Sequence, residues 1–383
     1  MELASRFPRL RIVVLEKESS VALHQTGHNS GVIHSGVYYR PGSLKARFCV
    51  QGAAEMIRFC QSHEIPCEIC GKVILATDED QRSALEELRR RATANKVPDV
   101  RLLGGEELRE FEPHAAGIAA LLVPGTAITL YKRVAEKYAE LSIARGAEIL
   151  TDSGVNAIRV TENTLTIQTE SGAYHSRFLI NCAGLHSDRI ARMTGTDLPL
   201  RIIPFRGEYY ELTPQRSTLV RALIYPVPDP RFPFLGVHFT RRITGEVEAG
   251  PNAILALKRE GYNKSDFRAA DVIDQLSFPG FWRMALRYWR TGFAETYRSF
   301  SKPAFVRALR ALVPKISERD LVKGSSGVRA QAVDRNGKLV DDFHFVSSSH
   351  ALHVCNVPSP AATASLSIGR HIVDTASRDF GWR

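Results

Sequence analysis

Three basic side chains set among aromatics and glycines carry the chemistry legible in this chain. Pro204-Phe-Arg-Gly-Glu-Tyr-Tyr210 offers Arg206, Gly236-Val-His-Phe-Thr-Arg241 offers His238, and Gly327-Val-Arg-Ala-Gln331 offers Arg329. A guanidinium meets a carboxylate through two parallel N–H bonds, so an arginine can hold and orient an anion at once. A histidine can accept a hydroxyl proton while hydride leaves the same carbon. Each residue alone also suits a structural role. Together they describe a pocket for a small dianion.

A second set of residues points to a dinucleotide. The apolar run Arg11-Ile-Val-Val-Leu-Glu16 ends in a carboxylate, which dinucleotide-binding folds use to hold a ribose hydroxyl; an exposed strand-end glutamate is the plain alternative. In the loop His24 to Tyr39, Gly27, Gly31 and Gly36 let backbone approach a ligand closely, and Asn29 and Ser30 can donate to a pyrophosphate or a flavin edge. The alternative is a tight polar loop with surface histidines. A metal site is a further alternative, although no acidic ligand lies nearby and the spacing matches no zinc pattern, and none is assigned. Ala183 and Gly184, in Asn181-Cys-Ala-Gly-Leu-His-Ser-Asp188, form a small-residue turn where a phosphate or ribose could sit, or simply a close helix–sheet crossing. In Pro358-Ser-Pro-Ala-Ala-Thr363, Ser359 is expected to cap a helix whose first residue is Pro360. The positive end of that helix would stabilise negative charge on the N1–C2=O edge of a reduced flavin.

The elements that position these residues alternate between helix and strand. Strands are predicted at 11–16, 71–76, 147–151, 155–160, 164–169 and 178–184. Helices are predicted at 43–63, 79–94, 131–145, after Ser187, and through 272–312. Residues 200–260 alternate in polarity and are proline-rich, which predicts an antiparallel sheet. The order fits an α/β nucleotide-binding domain interrupted by an α+β substrate domain. The nucleotide part is assigned to 1–70, 131–200 and 320–383, and the substrate part to 71–130 and 201–319.

With 383 residues the chain is long enough for two sizeable cores, and 44% hydrophobic with 24% charged residues is ordinary for a globular protein. No apolar run could cross a bilayer, and the N-terminus lacks the pattern of a secretory signal, so a cytoplasmic place, or the inner face of a membrane, is expected. A net charge of +10 suits an anionic substrate or an anionic membrane surface, and no basic run is dense enough for nucleic acid. The six cysteines show no disulfide framework, and Cys67-Glu-Ile-Cys70 reads as two half-buried structural thiols. The stretch 278–290, rich in aromatics and arginines, is expected either to dock on an anionic membrane, which would suit a quinone acceptor, or to roof the active site or pack between subunits.

With these residues in view, the chain resembles the L-2-hydroxyglutarate dehydrogenase/oxidase family within the D-amino-acid-oxidase-like superfamily. The matching blocks are the His24–Tyr39 loop, the Pro204 block, Tyr225-Pro-Val-Pro-Asp-Pro230 followed by Phe234-Leu-Gly-Val-His-Phe-Thr, and Gly250-Pro-Asn-Ala with Lys258-Arg-Glu-Gly-Tyr262. The Gly327 block and Pro358-Ser-Pro-Ala-Ala-Thr-Ala-Ser complete them, from residue 11 to the C-terminus. The resemblance implies a Rossmann-like FAD-binding domain, with FAD as cofactor. It also implies oxidation of L-2-hydroxyglutarate to 2-oxoglutarate, with electrons passed to a quinone, another acceptor or oxygen. It implies that Glu16 holds the adenosine ribose and that Val155 meets the adenine through its backbone. Thr26, Asn29, Ser30, Gly31, Ala183 and Gly184 would line the cofactor. Pro358, Ser359, Pro360, Ala361 and Thr363 would face the flavin. Arg329 sits where relatives bind the substrate α-carboxylate, His238 is the candidate base, and Arg206, Tyr225 and Lys258 are further substrate contacts.

Two features depart from the family pattern. Only fifteen residues precede Glu16 and none is glycine, so the first strand and the G-x-G-x-x-G turn that cradle the pyrophosphate are missing. The run 11–16 is then the second strand of the nucleotide fold. The expectation is a start downstream of the true one, with a strand–glycine–helix segment encoded upstream, or a decayed gene product. Leu130 stands where an aspartate would cap the following helix, an exchange worth ~1 kcal/mol. Other readings are oxidation of an amino acid or glycerol phosphate, and a flavin-free remnant with a binding or structural role.

Overall fold

The computed structural model describes residues 1–229 and 235–382; Pro230 and Phe234 of the motif blocks lie outside them. A sheet of nine strands dominates the molecule. Its continuous path runs Ile254–Leu255, Leu200–Leu212, Val247–Gly250, His238–Arg241, Leu223–Pro226, Lys72–Ala76, Ala119–Val123 and Arg101–Gly104, with Leu321–Asp334 paired to Leu200–Leu212. All neighbours are antiparallel except Leu223–Pro226 beside Lys72–Ala76. The strand predicted at 71–76 and the alternating region 200–260 thus meet in one sheet.

Both faces of this sheet are covered, so Lys72–Ala76 and Ala119–Val123 are buried along their whole length. On one face Val73, Leu75, Ile224 and Phe239 pack against Phe305, Val306 and Leu309 of the helix Lys302–Arg310. On the other, Ile74, Leu121, Leu223 and Tyr225 pack against Leu85, Leu88 and Ala92 of Arg82–Ala94. Each such side chain contributes about 1.5–3 kcal/mol on burial.

The nucleotide-type half is built from smaller sheets. Val13–Leu15 runs parallel to Glu148–Leu150, and Leu179–Asn181 runs parallel to Ala351–Asn356. No strand among the described residues joins these two fragments, and Val13 and Val14 are exposed. The helix Leu44–Ser62 starts where the sequence predicts, because Ser43 accepts a bond from Ala46 N and the Asp342 carboxylate accepts from Leu44 N and Lys45 N. Gly52 in that helix permits close packing: a Cβ there would lie 2.8 Å from Ala364 Cα.

The helix Tyr131–Ile143 begins at Leu130 with no side-chain cap. Leu130→Asp is expected to raise stability by about 1 kcal/mol, read as a higher denaturant midpoint at unchanged slope. An unchanged midpoint would mean that the first turn is already satisfied by its surroundings.

Candidate active site

Side-chain alternation along the large sheet decides which residues meet. Lys72 and Ile74 share one face of their strand. Leu223 is in register with Lys72 and Tyr225 with Ile74, while Leu223 also faces Thr240. Lys72, Tyr225 and His238 therefore lie on the same face.

His238 is buried, with its ring 3.9 Å from that of Tyr225 at 32°. Its Nδ1 lies 2.8 Å from Gly236 O. A carbonyl only accepts, so Nδ1 carries the proton and Nε2 keeps its lone pair. Burial, opposed by the Gly236 bond and reinforced by the positive charges of Arg329 and Lys72, pushes this histidine down to about 3. It is a neutral base throughout the physiological range. His34 is pushed to about 3 by burial and then by Lys72, His238 and Arg329. Both histidines therefore lie in the fields of Lys72 and Arg329.

Arg329 projects from the long strand Leu321–Asp334, opposite Phe205, and its charge also acts on Tyr209 and Tyr225. The Tyr225 hydroxyl is 3.5 Å from Thr240 Oγ1. Arg206 is buried but already engaged: Nε and Nη2 contact Glu208 Oε1 at 3.2 and 3.1 Å, and Nη1 donates to Asn263 O at 2.7 Å. Lys258 lies in the turn after Ile254–Leu255, where its charge, after two bonds from Asn263, helps hold the Asp266 carboxyl down. The neighbouring Arg259 fastens this turn to the body through Asp188 at 2.6 and 2.9 Å and Asp274 at 2.8 Å.

The residues assigned to the cofactor are spread over several elements outside the large sheet. The Glu16 carboxylate is half-buried at its strand end and accepts from Glu18 N at 3.0 Å. Val155 opens its strand in register with Thr169. Asn29 closes its own loop, donating to Gln25 O and Thr26 O and accepting from Gly31 N at 2.9 Å. Ser30 is half-buried beside it. Gly31 has φ +72°, and a Cβ would meet Thr129 O at 2.7 Å, so its close approach is to backbone. Ala183 N donates to Asn181 Oδ1, and a Cβ on Gly184 would sit 2.9 Å from Gln25 Oε1, so the two loops touch.

The turn 358–363 corrects one expectation. Ser359 does not cap a helix and Pro360 is not its first residue: the helix runs Ser365–Phe380, with Ala364 as N-cap and no side-chain cap bond. Thr363 Oγ1 is tied to Tyr131 Oη and His34 N, both at 3.0 Å, and to Val32 O at 3.3 Å. Ala361 N bonds Pro358 O, Ala364 N bonds Pro360 O, and Ser359 bonds Tyr39. These tethers hold the segment in turns against the His34 loop.

A second correction concerns acids near the histidine loop. Glu18, His24 and Glu260 bring ligand-type atoms within 4.8 Å of one another. The Lys17 ammonium, bonded to both carboxylates, already supplies the positive charge. Glu260, which also contacts His186 at 2.8 Å, is held down to about 2 against the effect of its burial.

Between the turns at 182–187 and 355–361 lies a cavity of about 260 Å³, lined by Gln25, Cys182, Gly184, Asn356, Ala361 and Ser365 among others. Asn356 Oδ1 is buried without a partner, although its Nδ2 donates to Val340 O and Asp342 O. A stranded acceptor among small residues fits a ligand that brings its own N–H or O–H. Together with Glu16 this suits the ribose and flavin ends of FAD; a glycine-rich cradle for its pyrophosphate is not among the described residues.

A parallel nucleotide-type half joined to a large sheet that buries a neutral histidine defines a dinucleotide-dependent oxidoreductase. The chain belongs to the FAD dependent oxidoreductase (DAO) family, whose model matches residues 1–375. It is 50% identical over 381 residues, 99% of this chain and 96% of the relative, to an L-2-hydroxyglutarate dehydrogenase of Indibacter alkaliphilus. It is 42% identical over 392 residues, 98% of this chain and 85% of the relative, to the mitochondrial L-2-hydroxyglutarate dehydrogenase of Homo sapiens. The fold matches that of the FAD-bound, dithionite-reduced L-alpha-glycerophosphate oxidase of Mycoplasma pneumoniae, with a TM-score of 0.78 at 20% identity over 99% of this chain and 91% of that one. The cofactor is FAD.

Sequence reasoning missed Lys72, His34 and Tyr38 as members of the site. The signal was present for the first: Lys72 heads the apolar run Lys72-Val-Ile-Leu-Ala76, and period-two alternation puts it on the face of buried Ile74.

Proposed function

We propose that this chain oxidises L-2-hydroxyglutarate to 2-oxoglutarate. The observation that carries the reading is His238, a buried neutral imidazole with Nε2 unprotonated, under the field of two positive charges. The activity for which these relatives are named supports the choice of substrate.

In this reading Arg329 orients the α-carboxylate by two parallel N–H bonds. His238 Nε2 accepts the C2 hydroxyl proton as that carbon becomes a ketone. FAD, when bound, supplies the acceptor for the hydride from the same carbon. Tyr225 packs its ring against that of His238, tilted by 32°, and keeps it in place. Burial pushes Tyr209 up to about 12, so this wall stays neutral. Glu16 and Val155 would hold the adenosine end. Thr26, Asn29, Ser30, Gly31, Ala183 and Gly184, with the turn Pro358, Ser359, Pro360, Ala361 and Thr363, would enclose the rest. Arg206 and Lys258 would shape the pocket through Glu208 and Asp266 rather than by touching substrate. Residues 1–70, 131–200 and 320–383 form the part that holds FAD, with Leu321–Asp334 shared between the two halves. The test is product analysis with an artificial electron acceptor: 2-oxoglutarate should accumulate from the L-acid, whereas turnover of glycine or glycerol 3-phosphate in its place would refute the assignment.

The helix Pro279–Phe300 supports a membrane-bound quinone as electron acceptor. Trp282 and Leu286 before a kink at Tyr288, and Trp289, Phe293 and Phe300 after it, are exposed, with the exposed Arg283, Arg287 and Arg290 among them. No helix of the described residues is long and apolar enough to cross a membrane. A surface of this kind lies in the headgroup layer and draws affinity from anionic lipid. The protein should float with anionic vesicles, and replacing the three arginines by glutamate should release it into the pellet fraction; equal flotation of both would count against docking.

A further inference from the structure

We propose that Lys72 holds the second carboxylate of the substrate and so makes the site selective for dicarboxylates; the inference rests on the 2-hydroxy-acid reading above. Lys72 is 1% exposed, and its Nζ lies 4.7 Å from the ring centroid of Tyr38 and 5.2 Å from that of Tyr225. Among the described residues no salt bridge joins it to a carboxylate, and its closest recorded side-chain contacts are the two tyrosine rings. Two ring faces attract a cation, but they do not replace the water that burial removes. A buried ammonium left in this state is completed by an incoming anion.

Three further observations converge on the same point. Tyr38 Oη is buried without a hydrogen-bond partner, so it can donate to the anion that Lys72 holds. The charge count also fits. A dianion needs two positive charges, and the two whose fields reach His238 are Arg329 and Lys72. Arg206, the other candidate, is already neutralised by Glu208. Finally, burial pulls the ammonium down to about 8, opposed by the Cys49 thiol. A carboxylate beside it would draw it back up. The groups facing Lys72 are Tyr38 and His34 from the loop after Val32–Ile33, Cys49 from the helix Leu44–Ser62, and Tyr225 and His238 from the large sheet.

The experiment compares 2-oxoglutarate with 2-oxopentanoate, which has the same carbon chain without the second carboxylate. Binding is measured by calorimetry, and KM for the matching L-2-hydroxy acids. The wild type should prefer the dicarboxylate by roughly 30-fold or more, in line with a desolvated charge pair. Lys72→Met should remove that preference while leaving the monocarboxylate within about threefold, and Lys72→Arg should retain most of it. A Lys72→Met protein that keeps the preference, or that weakens both acids equally, would overturn the proposal. Should that variant fail to fold, the wild type decides: the preference must shrink as pH rises through about 8, and a constant preference overturns the proposal. Failure of the substrate reading looks different, since the wild type would then neither bind 2-oxoglutarate nor oxidise the L-acid, and both ideas would fall.

Discussion

His238→Gln is expected to lower kcat by about 10²–10⁴-fold, the usual worth of a positioned general base, with little change in KM and unchanged FAD content. Glutamine preserves some hydrogen bonding but cannot take a proton. The pH profile separates this role from a packing role. The wild-type histidine sits at about 3, so its base form survives far into acid. The acid limb of kcat/KM should therefore stay flat through pH ~5 rather than break near the ordinary histidine value of ~6.5. The same depression has a consequence for stability. The unfolded chain binds protons on this histidine before the folded one does, so stability is complete above about 6.5 and falls as pH drops toward 3. A variant with activity within a few-fold of wild type, or a wild-type limb centred near 6.5, would show that the proton goes elsewhere.

Arg329→Met is expected to reduce kcat/KM for the L-acid by about 2–5 kcal/mol, or roughly 30- to 4,000-fold, the range for removing one partner of a buried charge pair. Arg329→Lys should recover only part of this, because an ammonium cannot make the two parallel bonds of a guanidinium. The effect should appear for monocarboxylic and dicarboxylic substrates alike, since both carry the α-carboxylate. That separates Arg329 from Lys72, whose loss affects dicarboxylates alone. Steady-state kinetics on the two acids read both patterns. A loss at Arg329 confined to the dicarboxylate would exchange the two assignments.

The fold was legible where the signal is local. Ser43 followed by Leu44, Phe48, Ala53, Met56 and Cys60 marks a capped amphipathic helix, and Leu44–Ser62 is that helix. The apolar runs at 72–76 and 179–181 announce buried strands in the same way. The parallel pairing of Val13–Leu15 with Glu148–Leu150 matches the expected α/β nucleotide-type fold. Where partners are remote, the sequence is silent. Nothing local to residue 72 says that its strand will lie beside Leu223–Pro226, or that its ammonium will lie between the rings of Tyr38 and Tyr225. The Ser359–Pro360 cap failed for the same reason, since Tyr39, Val32, His34 and Tyr131 hold that turn from far away in the chain. Arg206 is engaged by a near neighbour. Its partner Glu208 is two residues on, on the same face of the strand, and an ion pair at that spacing can be read directly.

In the proposed reaction His238 accepts the C2 hydroxyl proton of a dicarboxylic L-2-hydroxy acid, and FAD, when bound, would supply the acceptor for the hydride. The most direct measurement is anaerobic mixing of the FAD-loaded protein with single substrates while following the flavin's visible absorption band. L-2-hydroxyglutarate should bleach the band and release stoichiometric 2-oxoglutarate, while D-2-hydroxyglutarate, glycine and glycerol 3-phosphate leave it unchanged. A flavin bleached by glycine or glycerol 3-phosphate but not by L-2-hydroxyglutarate would contradict the account.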